Sequence, residues 1–182
     1  MNIIIALGNP GDKYKNTRHN ISWLFLDYYL GDVEWQENKK FQALIYKDLN
    51  TIFVKPLTYM NLSGLSVKKI LNYYNLIPKS FSLIRKKDFD LNDSLLVIQD
   101  DVDIDFGKHK ISYNSSSGGH NGIKSIIENI KTQKFKRLRL GIKNEQTRTI
   151  IPTDKFVLQN FSSDEINQLT EIFKNIDFKS LL

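Results

Sequence analysis

The segment Ile3-Ile4-Ile5-Ala6-Leu7, followed directly by Gly8-Asn9-Pro10-Gly11, carries the clearest structural signal in the chain. Its unbroken apolar run, rich in β-branched isoleucine, predicts a strand buried on both faces, as in the centre of a parallel sheet. The Gly-Asn-Pro-Gly sequence predicts a tight turn where that strand ends. Open α/β sheets bind ligands beyond the carboxyl ends of their strands, so this turn is a candidate site. It lacks the Gly-x-Gly-x-x-Gly spacing of a dinucleotide-binding loop, so a plain turn is the alternative.

Strands and helices alternate along the rest of the chain. Thr17 is predicted to cap a helix, because apolar residues recur at three- and four-residue steps from Ile21 to Tyr28. Ser162 and Glu165 form a capping-box pattern, which predicts another helix start. Further strands are predicted at residues 41–46, 52–55, 95–99, 108–113 and 137–142, and further helices at 63–74 and 122–130. This order predicts an α/β fold with a central mixed, largely parallel twisted sheet and helices on both faces.

Length and composition agree with a single domain that spans residues 1–182. The chain has 182 residues, of which 41% are hydrophobic, enough for one buried core. Residues 79–93 are polar and lack a clear period, although a helix precedes them and a strand follows. We therefore expect a surface insertion there.

The chain contains no cysteine and has a formal net charge of +6. The first property excludes disulfides, thiolate nucleophiles and cysteine-ligated metal centres. The second is a weak indication of a polyanionic partner, since solubility alone explains a moderate excess of positive charge. No segment is long and apolar enough for a signal peptide or a membrane span, so we expect a cytoplasmic protein without a membrane partner.

Four carboxylates follow the strand predicted at residues 95–99: Asp100, Asp101, Asp103 and Asp105. Like charges at this spacing repel one another unless they are solvated, bind a cation or pair with a histidine. The segment lacks the mid-loop Gly and the distal Glu of a calcium-binding EF-hand. The segment is therefore either a solvated acidic turn or a source of a functional carboxylate.

Glycines flank a histidine and an asparagine in Gly118-Gly119-His120-Asn121-Gly122. The glycines let the backbone approach a ligand closely, and the free amide groups of the helix start that follows suit an oxyanion or a phosphate. A flexible linker is the alternative. The His-Asn pair favours a site, because such a pair is not typical of linkers.

Two of the three histidines, His19 and His120, precede an asparagine at a predicted helix start. An imidazole is well suited to take a proton from water at neutral pH, and a carboxylate such as Asp100 can fix its tautomer. No serine lies in a Gly-x-Ser-x-Gly elbow, so an activated water is favoured over a serine nucleophile. Asn61 is either a helix cap or an amide that binds a developing oxyanion.

Together these motifs resemble the bacterial-type peptidyl-tRNA hydrolase family. The matching segments occur in the family's order, over residues 3 to about 160. They are Gly8-Asn9-Pro10-Gly11 with Tyr14, Thr17-Arg18-His19-Asn20, Thr58-Tyr59-Met60-Asn61-Leu62-Ser63-Gly64, Asp100-Asp101-Val102-Asp103, Gly118-Gly119-His120-Asn121-Gly122, Arg137-Leu138-Arg139-Leu140-Gly141-Ile142 and Phe156-Val157-Leu158.

The resemblance implies a phosphorylase/hydrolase-like fold and a monomeric enzyme, without metal or other cofactor, that hydrolyses the ester between a peptide and the 3′-terminal ribose of tRNA. It implies that His19 activates water and that Asp100 holds and polarises the imidazole. The substrate-binding residues that it implies are Asn9, Tyr14, Tyr59, Met60, Asn61, His120 and Asn121. Lys110 and Arg139 are implied to contact tRNA phosphate, so the acceptor end of peptidyl-tRNA is the expected partner.

Basic residues are concentrated between Lys131 and Arg148, where the only acid is Glu145. Such a run is more often a solvated face. With Lys108 and Lys110, the alternative is a surface that follows the tRNA phosphate backbone. The chain departs from the family's usual residues at Ser22, Asp105, Ser112, 114–117 and 143–146, and its C-terminal region is short. We expect these differences to alter affinity or lid motion before they alter the chemistry.

Two other functions account for part of the pattern. One is an RNA-binding protein without turnover; the presence of both His19 and Asp100 argues against it. The other is a metal-dependent hydrolase that uses Asp100, Asp101, Asp103 and His120. Activity in the presence of a chelator distinguishes this second alternative from the metal-independent enzyme.

Overall fold

The computed structural model describes residues 1–78, 88–144 and 151–182, and these residues form a seven-stranded sheet flanked by helices. The strands are β1 (Asn2–Ala6), β2 (Gln36–Asn38), β3 (Ala43–Asp48), β4 (Thr51–Pro56), β5 (Leu95–Asp105), β6 (His109–Ser112) and β7 (Lys136–Lys143). The α-helices are α1 (Ile21–Leu30), α2 (Ser63–Tyr73), α3 (Asn121–Ile130), α4 (Thr153–Phe156) and α5 (Ser163–Lys174). Short 3₁₀ helices span Asp12–Tyr14, Arg18–Asn20, Met60–Leu62 and Lys179–Leu181.

The strand order is β2-β3-β4-β1-β5-β7-β6. The central strands β4, β1, β5 and β7 are parallel, whereas β2, β3 and β6 join them antiparallel at the two sides. The predicted mixed, largely parallel sheet is therefore confirmed. As a result, the carboxyl ends of the four parallel strands lie at one edge of the sheet, where open α/β folds bind their ligands.

Strand β1 is buried on both faces, as its apolar run predicts. Ile3 and Ile5 pack on one side with side chains of α2 and α3, while Ile4 and Ala6 pack on the other side with side chains of α1 and α5. Successive side chains of a strand point to opposite faces, so one apolar run supplies both layers of the core. The prediction of helices on both faces is thus confirmed.

Strand β5 differs from the sequence prediction. It continues to Asp105 instead of ending near residue 99, and Asp100 and Asp101 are both buried within it. A solvated acidic turn at these two residues is therefore wrong. Burial of a carboxylate requires partners that compensate for lost hydration, and distant parts of the chain supply them.

The start of α1 also differs from the prediction. Thr17 does not cap a helix; its hydroxyl donates to the carbonyl oxygen of Tyr14 at 2.8 Å. A one-turn 3₁₀ helix, Arg18–Asn20, follows it, and α1 begins at Ile21. The capping box at Ser162 and Glu165 is confirmed.

Part of the predicted insertion at 79–93 lies outside the described residues. In its described end, Phe89 and Leu91 are buried, and the hydroxyl of Thr132 donates to the carbonyl oxygen of Phe89 at 2.7 Å. This end therefore packs against the connection between α3 and β7. Among the described residues, none of the helices has the length and apolar character needed to cross a membrane.

Candidate active site

Side chains from several strands and helix starts meet at the carboxyl edge of the sheet. Asn9 follows β1, the 3₁₀ helix Met60–Leu62 follows β4, and Asp100 lies in β5. His19 and His120 reach the same region from the residues before α1 and α3. A cavity of about 670 Å³ opens beside the two histidines and Asp100.

Asp100 connects the two histidines. Its Oδ1 lies 2.8 Å from Nδ1 of His19 and 3.0 Å from Nε2 of His120. Asp100 is only 1% exposed, and the two imidazole rings lie 5.3 Å apart between centroids. The sequence predicts the His19–Asp100 pair, but it gives no indication that His120 shares the same carboxylate oxygen.

The hydrogen bonds of His120 assign its tautomer. Its Nδ1 accepts from the backbone amides of Gly122 and Ile123, at 3.1 and 3.3 Å, so this nitrogen carries no proton. Nε2 then carries the proton and donates a hydrogen bond to Asp100. Because a carboxylate only accepts, His19 donates through Nδ1, which leaves its Nε2 with a lone pair.

Asp100 is held in its ionised form. Burial alone raises the pKa of its carboxyl group, but electrostatic attraction to the imidazoles of His19 and His120 and the hydrogen bonds they donate outweigh burial. The net effect places the pKa of Asp100 well below its usual range. At neutral pH the group is a carboxylate that orients two imidazoles.

The turn after β1 is fixed by a second asparagine. The side chain of Asn20 accepts from the Asn9 amide at 2.9 Å and donates to the Asn9 carbonyl oxygen at 3.0 Å. Oδ1 of Asn9 in turn accepts from the backbone amide of Met60 at 2.8 Å. The Asn9 side chain is therefore oriented, with its acceptor used by the protein and its Nδ2 available as a donor.

Close contacts between helices place Asn61 near the start of α3. At Gly64, a Cβ atom would overlap the carbonyl oxygen of Ser125, and at Gly122 it would overlap the sulfur of Met60. Glycine at both positions lets α3 approach α2 and the 3₁₀ helix that precedes it. Asn61 and Asn121 are exposed, whereas Met60 is buried at 4% exposure, so the predicted crevice residue lies largely beneath the surface.

Tyr14 and Tyr59, which are close in sequence to Asn9 and Met60, contact each other. The rings of Tyr14 and Tyr59 meet edge to face with centroids 6.3 Å apart. Tyr59 is 53% exposed, so its ring presents apolar area to solvent. Four of the residues that the resemblance implies for substrate binding are therefore in contact in pairs: Asn9 with Met60, and Tyr14 with Tyr59.

Arg18 anchors the segment that carries His19, a role that the sequence pattern does not predict. Its guanidinium lies between the rings of Phe156 and Phe161, at 4.8 and 4.9 Å from their centroids, and Nη2 donates to Glu165 at 2.9 Å. The backbone amide of His19 donates to the carbonyl oxygen of Val157 at 2.8 Å. A charged residue directly before a candidate base is the only sequence signal that could have indicated this anchor.

The predicted basic surface is divided by the sheet. Arg139 and Lys110 face each other on β7 and β6, and Nε of Arg139 donates to Oδ2 of Asp101 at 2.7 Å. Arg137 is buried, and Lys136 donates to the carbonyl oxygen of Leu181 near the opposite edge. Neighbouring side chains on β7 alternate between the two faces of the sheet, so the basic residues from Lys131 to Lys143 do not form one continuous surface. Residues 145–148 of the predicted basic segment lie outside the described ranges.

One group in the described part of the chain has the ligand types of a metal site. The candidate ligand atoms of His19, Asp100 and His120 lie within 4.8 Å of one another. Nε2 of His120, however, carries a proton when Nδ1 accepts two amides, so it is not a ligand in that state. Asp101, another residue considered for a metal, is paired with Arg139.

Known proteins are similar to this chain over nearly its whole length. The family model described as peptidyl-tRNA hydrolase matches residues 3–179. A peptidyl-tRNA hydrolase of Mycoplasma capricolum is 42% identical over 180 residues, which cover 96% of this chain and 88% of the relative. One from Fusobacterium nucleatum is 41% identical over 186 residues, covering 97% and 86%. A crystal structure of the Acinetobacter baumannii peptidyl-tRNA hydrolase matches with a TM-score of 0.74 and 28% identity, covering 94% of this chain and 81% of that one.

Proposed function

The chain belongs to the peptidyl-tRNA hydrolase family, whose members hydrolyse the ester bond of peptidyl-tRNA, and we propose that His19 is the base that activates water in this chain. The observation that carries the proposal is the 2.8 Å hydrogen bond between Nδ1 of His19 and buried Asp100. This bond directs the proton to Nδ1 and leaves Nε2 to accept one from water.

The reaction proceeds by direct attack of water on the ester. Nε2 of His19 takes one proton from water, and the water oxygen bonds to the carbonyl carbon of the peptide. The tetrahedral intermediate then collapses, and the bond to the 3′-oxygen of the ribose breaks. The imidazolium of His19 returns its proton to that oxygen, so the products are a free peptide carboxyl group and tRNA with a free 3′-hydroxyl. Asp100 stabilises the imidazolium between these steps.

Amides supply the fixed dipoles around the ester. Nδ2 of Asn9 is a donor held in place by the contact of Oδ1 with Met60, which suits a carbonyl oxygen of the substrate. Asn61 binds the peptide beside it, and Asn121 positions the water together with the peptide end. Tyr14 and Tyr59 provide apolar area for the substrate. One strong oxyanion donor typically contributes about 10²–10³-fold in rate.

His120 contributes to binding in this proposal by bordering the site, and no metal takes part. The capping of α3 through Nδ1 and the donation from Nε2 to Asp100 occupy both of its ring nitrogens. These bonds favour a metal-independent reaction over the alternative that uses Asp100 and His120 as ligands. Turnover that survives excess EDTA supports this; turnover that is lost and returns with added metal contradicts it.

The tRNA is held through phosphate at Lys110 and Arg139. Lys110 is exposed and lies opposite Arg139 on the adjacent strand, and Arg139 lines the cavity. The enzyme acts as a monomer in the cytoplasm, where peptidyl-tRNA arises during translation. Size-exclusion chromatography with light scattering tests the monomer directly.

The activity is tested with N-acetyl-phenylalanyl-tRNA as substrate and unblocked phenylalanyl-tRNA as control. We expect cleavage of the blocked substrate and much slower cleavage of the unblocked one. In H₂¹⁸O, the label is expected in the released carboxyl group and not in the tRNA 3′-hydroxyl. Label in the tRNA would contradict attack at the carbonyl carbon.

A further inference from the structure

The inner wall of the cavity carries three buried polar atoms whose role the proposed chemistry does not explain. Gln99 and Arg137 are 3% and 2% exposed, and both line the cavity together with Ser112. Oε1 of Gln99, Nε of Arg137 and Oγ of Ser112 have no hydrogen-bond partner among the described residues. Buried polar groups are nearly always paired, so three such atoms in one cavity indicate a polar ligand.

The strand register places these groups on one face of the sheet. Gln99 of β5 lies opposite Arg139 of β7, and Arg139 lies opposite Lys110 of β6. Arg137, two residues before Arg139, lies opposite Ser112. Opposed residues, and residues two apart, share a face. The unpaired atoms therefore lie beside the two cations proposed to bind phosphate.

The surrounding contacts define what each atom needs. Nε2 of Gln99 donates to the carbonyl oxygen of Asp100 at 3.3 Å, which orients Oε1 as an acceptor. Nη1 of Arg137 donates to the carbonyl oxygen of Ser116 at 2.7 Å, and Nη2 donates to Ser115, so Nε is the remaining donor. The phosphodiester groups of tRNA have only acceptors and cannot satisfy Gln99. A ligand with an N–H donor beside ring acceptors can.

We propose that Gln99 accepts a hydrogen bond from the exocyclic amino group of the substrate's 3′-terminal adenine, which occupies this cavity. The proposal rests on the proposed function, because the ester is attached to the ribose of that nucleotide. The volume of about 670 Å³ lies within the range of about 300–1,000 Å³ that small-molecule sites occupy. The nucleotide then lies on the β5–β7 side of His19, and the peptide lies on the side of Asn9 and Asn61.

The choice of adenine follows from hydrogen-bond chemistry. Glutamine pairs well with adenine, whose amino group donates and whose ring nitrogens accept. Hypoxanthine has an oxygen in place of that amino group, and an oxygen opposite Oε1 leaves two acceptors facing each other. Nε of Arg137 and the hydroxyl of Ser112 can donate to the ring nitrogens.

The test uses N-acetyl-phenylalanyl esters of the trinucleotide CCA and of its inosine-terminated analogue. For the wild-type enzyme we expect a KM about tenfold or more higher with the inosine ester. Gln99→Met is expected to raise the KM of the adenosine ester by a similar factor, to keep kcat within about twofold and to abolish the preference between the two esters. Gln168→Met, on an exposed position of α5, is the matched control and should behave as wild type.

Binding of the unesterified trinucleotides is measured in parallel by calorimetry. The preference for adenosine over inosine can then be measured even if the proposed hydrolysis does not occur. Gln99→Leu serves as a second variant if the methionine variant unfolds. The proposal is overturned if a folded variant retains the preference for adenosine or if the substitution lowers only kcat. It is also overturned if the wild-type KM rises for a 2′-deoxyadenosine ester and not for the inosine ester. That last result would show that the enzyme recognises the ribose 2′-hydroxyl and not the adenine amino group.

Discussion

Replacing Asp100 with asparagine probes the centre of the site with almost no change in shape. The carboxylate Oδ1 accepts from His19 at 2.8 Å and from His120 at 3.0 Å in a position that is 1% exposed. An asparagine keeps one acceptor oxygen but loses the charge, and its amide nitrogen can only donate. The substitution therefore disturbs the tautomer of His19 and the stability of its imidazolium.

The size of the effect follows from those two consequences. A hydrogen bond to a charged group is worth about 1.5–3 kcal/mol, and each 1.4 kcal/mol changes a rate about tenfold. Loss of charge alone thus predicts a decrease of about 10–100-fold. If the amide also donates to Nδ1 of His19, the proton moves to Nε2 and the base is lost, which costs about 10²–10⁴-fold. We expect kcat of Asp100→Asn to fall by about 10²–10⁴-fold.

The assay is single-turnover cleavage of N-acetyl-phenylalanyl-tRNA, with KM measured separately. KM should change by less than about threefold, because Asp100 does not contact the tRNA in this account. Asp32→Asn, on the exposed loop after α1, is the control for a lost surface carboxylate. A kcat for Asp100→Asn within about threefold of wild type would refute the assigned role of the carboxylate.

Two other predictions concern binding and stability. Arg139→Ala should weaken tRNA binding and reduce the slope of log affinity against log salt by about 0.7–0.9, the effect of one phosphate contact; filter binding that gives an unchanged slope removes Arg139 from the interface. Glu165→Gln should lower the free energy of unfolding by about 1–3 kcal/mol at pH 7, since it weakens the bond to Arg18. Burial raises the pKa of Glu165, but hydrogen bonds from Ser162 and Arg18 prevail and lower it, so this stabilisation is complete above pH ~4.3 and is lost as the pH falls further. Urea denaturation at pH 7 and pH 3 should show the difference shrink in acid, and a constant difference contradicts the assignment.

The sequence predicts the centre of the fold well because its signals there are local. The apolar run at residues 3–7 specifies a strand buried on both faces, and Ser162 with Glu165 specifies a helix start. The three-residue strand β2 and the four-residue helix α4 have no comparable period, because elements this short depend on neighbours that pack against them.

The site is predictable in its residue types but not in its connections. The His19–Asp100 pair follows from the chemistry that each residue can perform, although 81 residues separate them. The extension of β5 past residue 99 buries Asp100 and Asp101. Their burial is compensated by His19, His120 and Arg139, and none of these is close to them in sequence. The second bond from His120 and the sandwich around Arg18 likewise arise only in the folded chain.

The most direct test of the central claim is cleavage of N-acetyl-phenylalanyl-tRNA by His19→Ala, measured under single-turnover conditions beside the equilibrium affinity for tRNA. If Nε2 of His19 activates water, cleavage falls by about 10²-fold or more and the affinity changes by less than about twofold. Cleavage close to the wild-type rate, in a variant that still binds tRNA, would contradict the account.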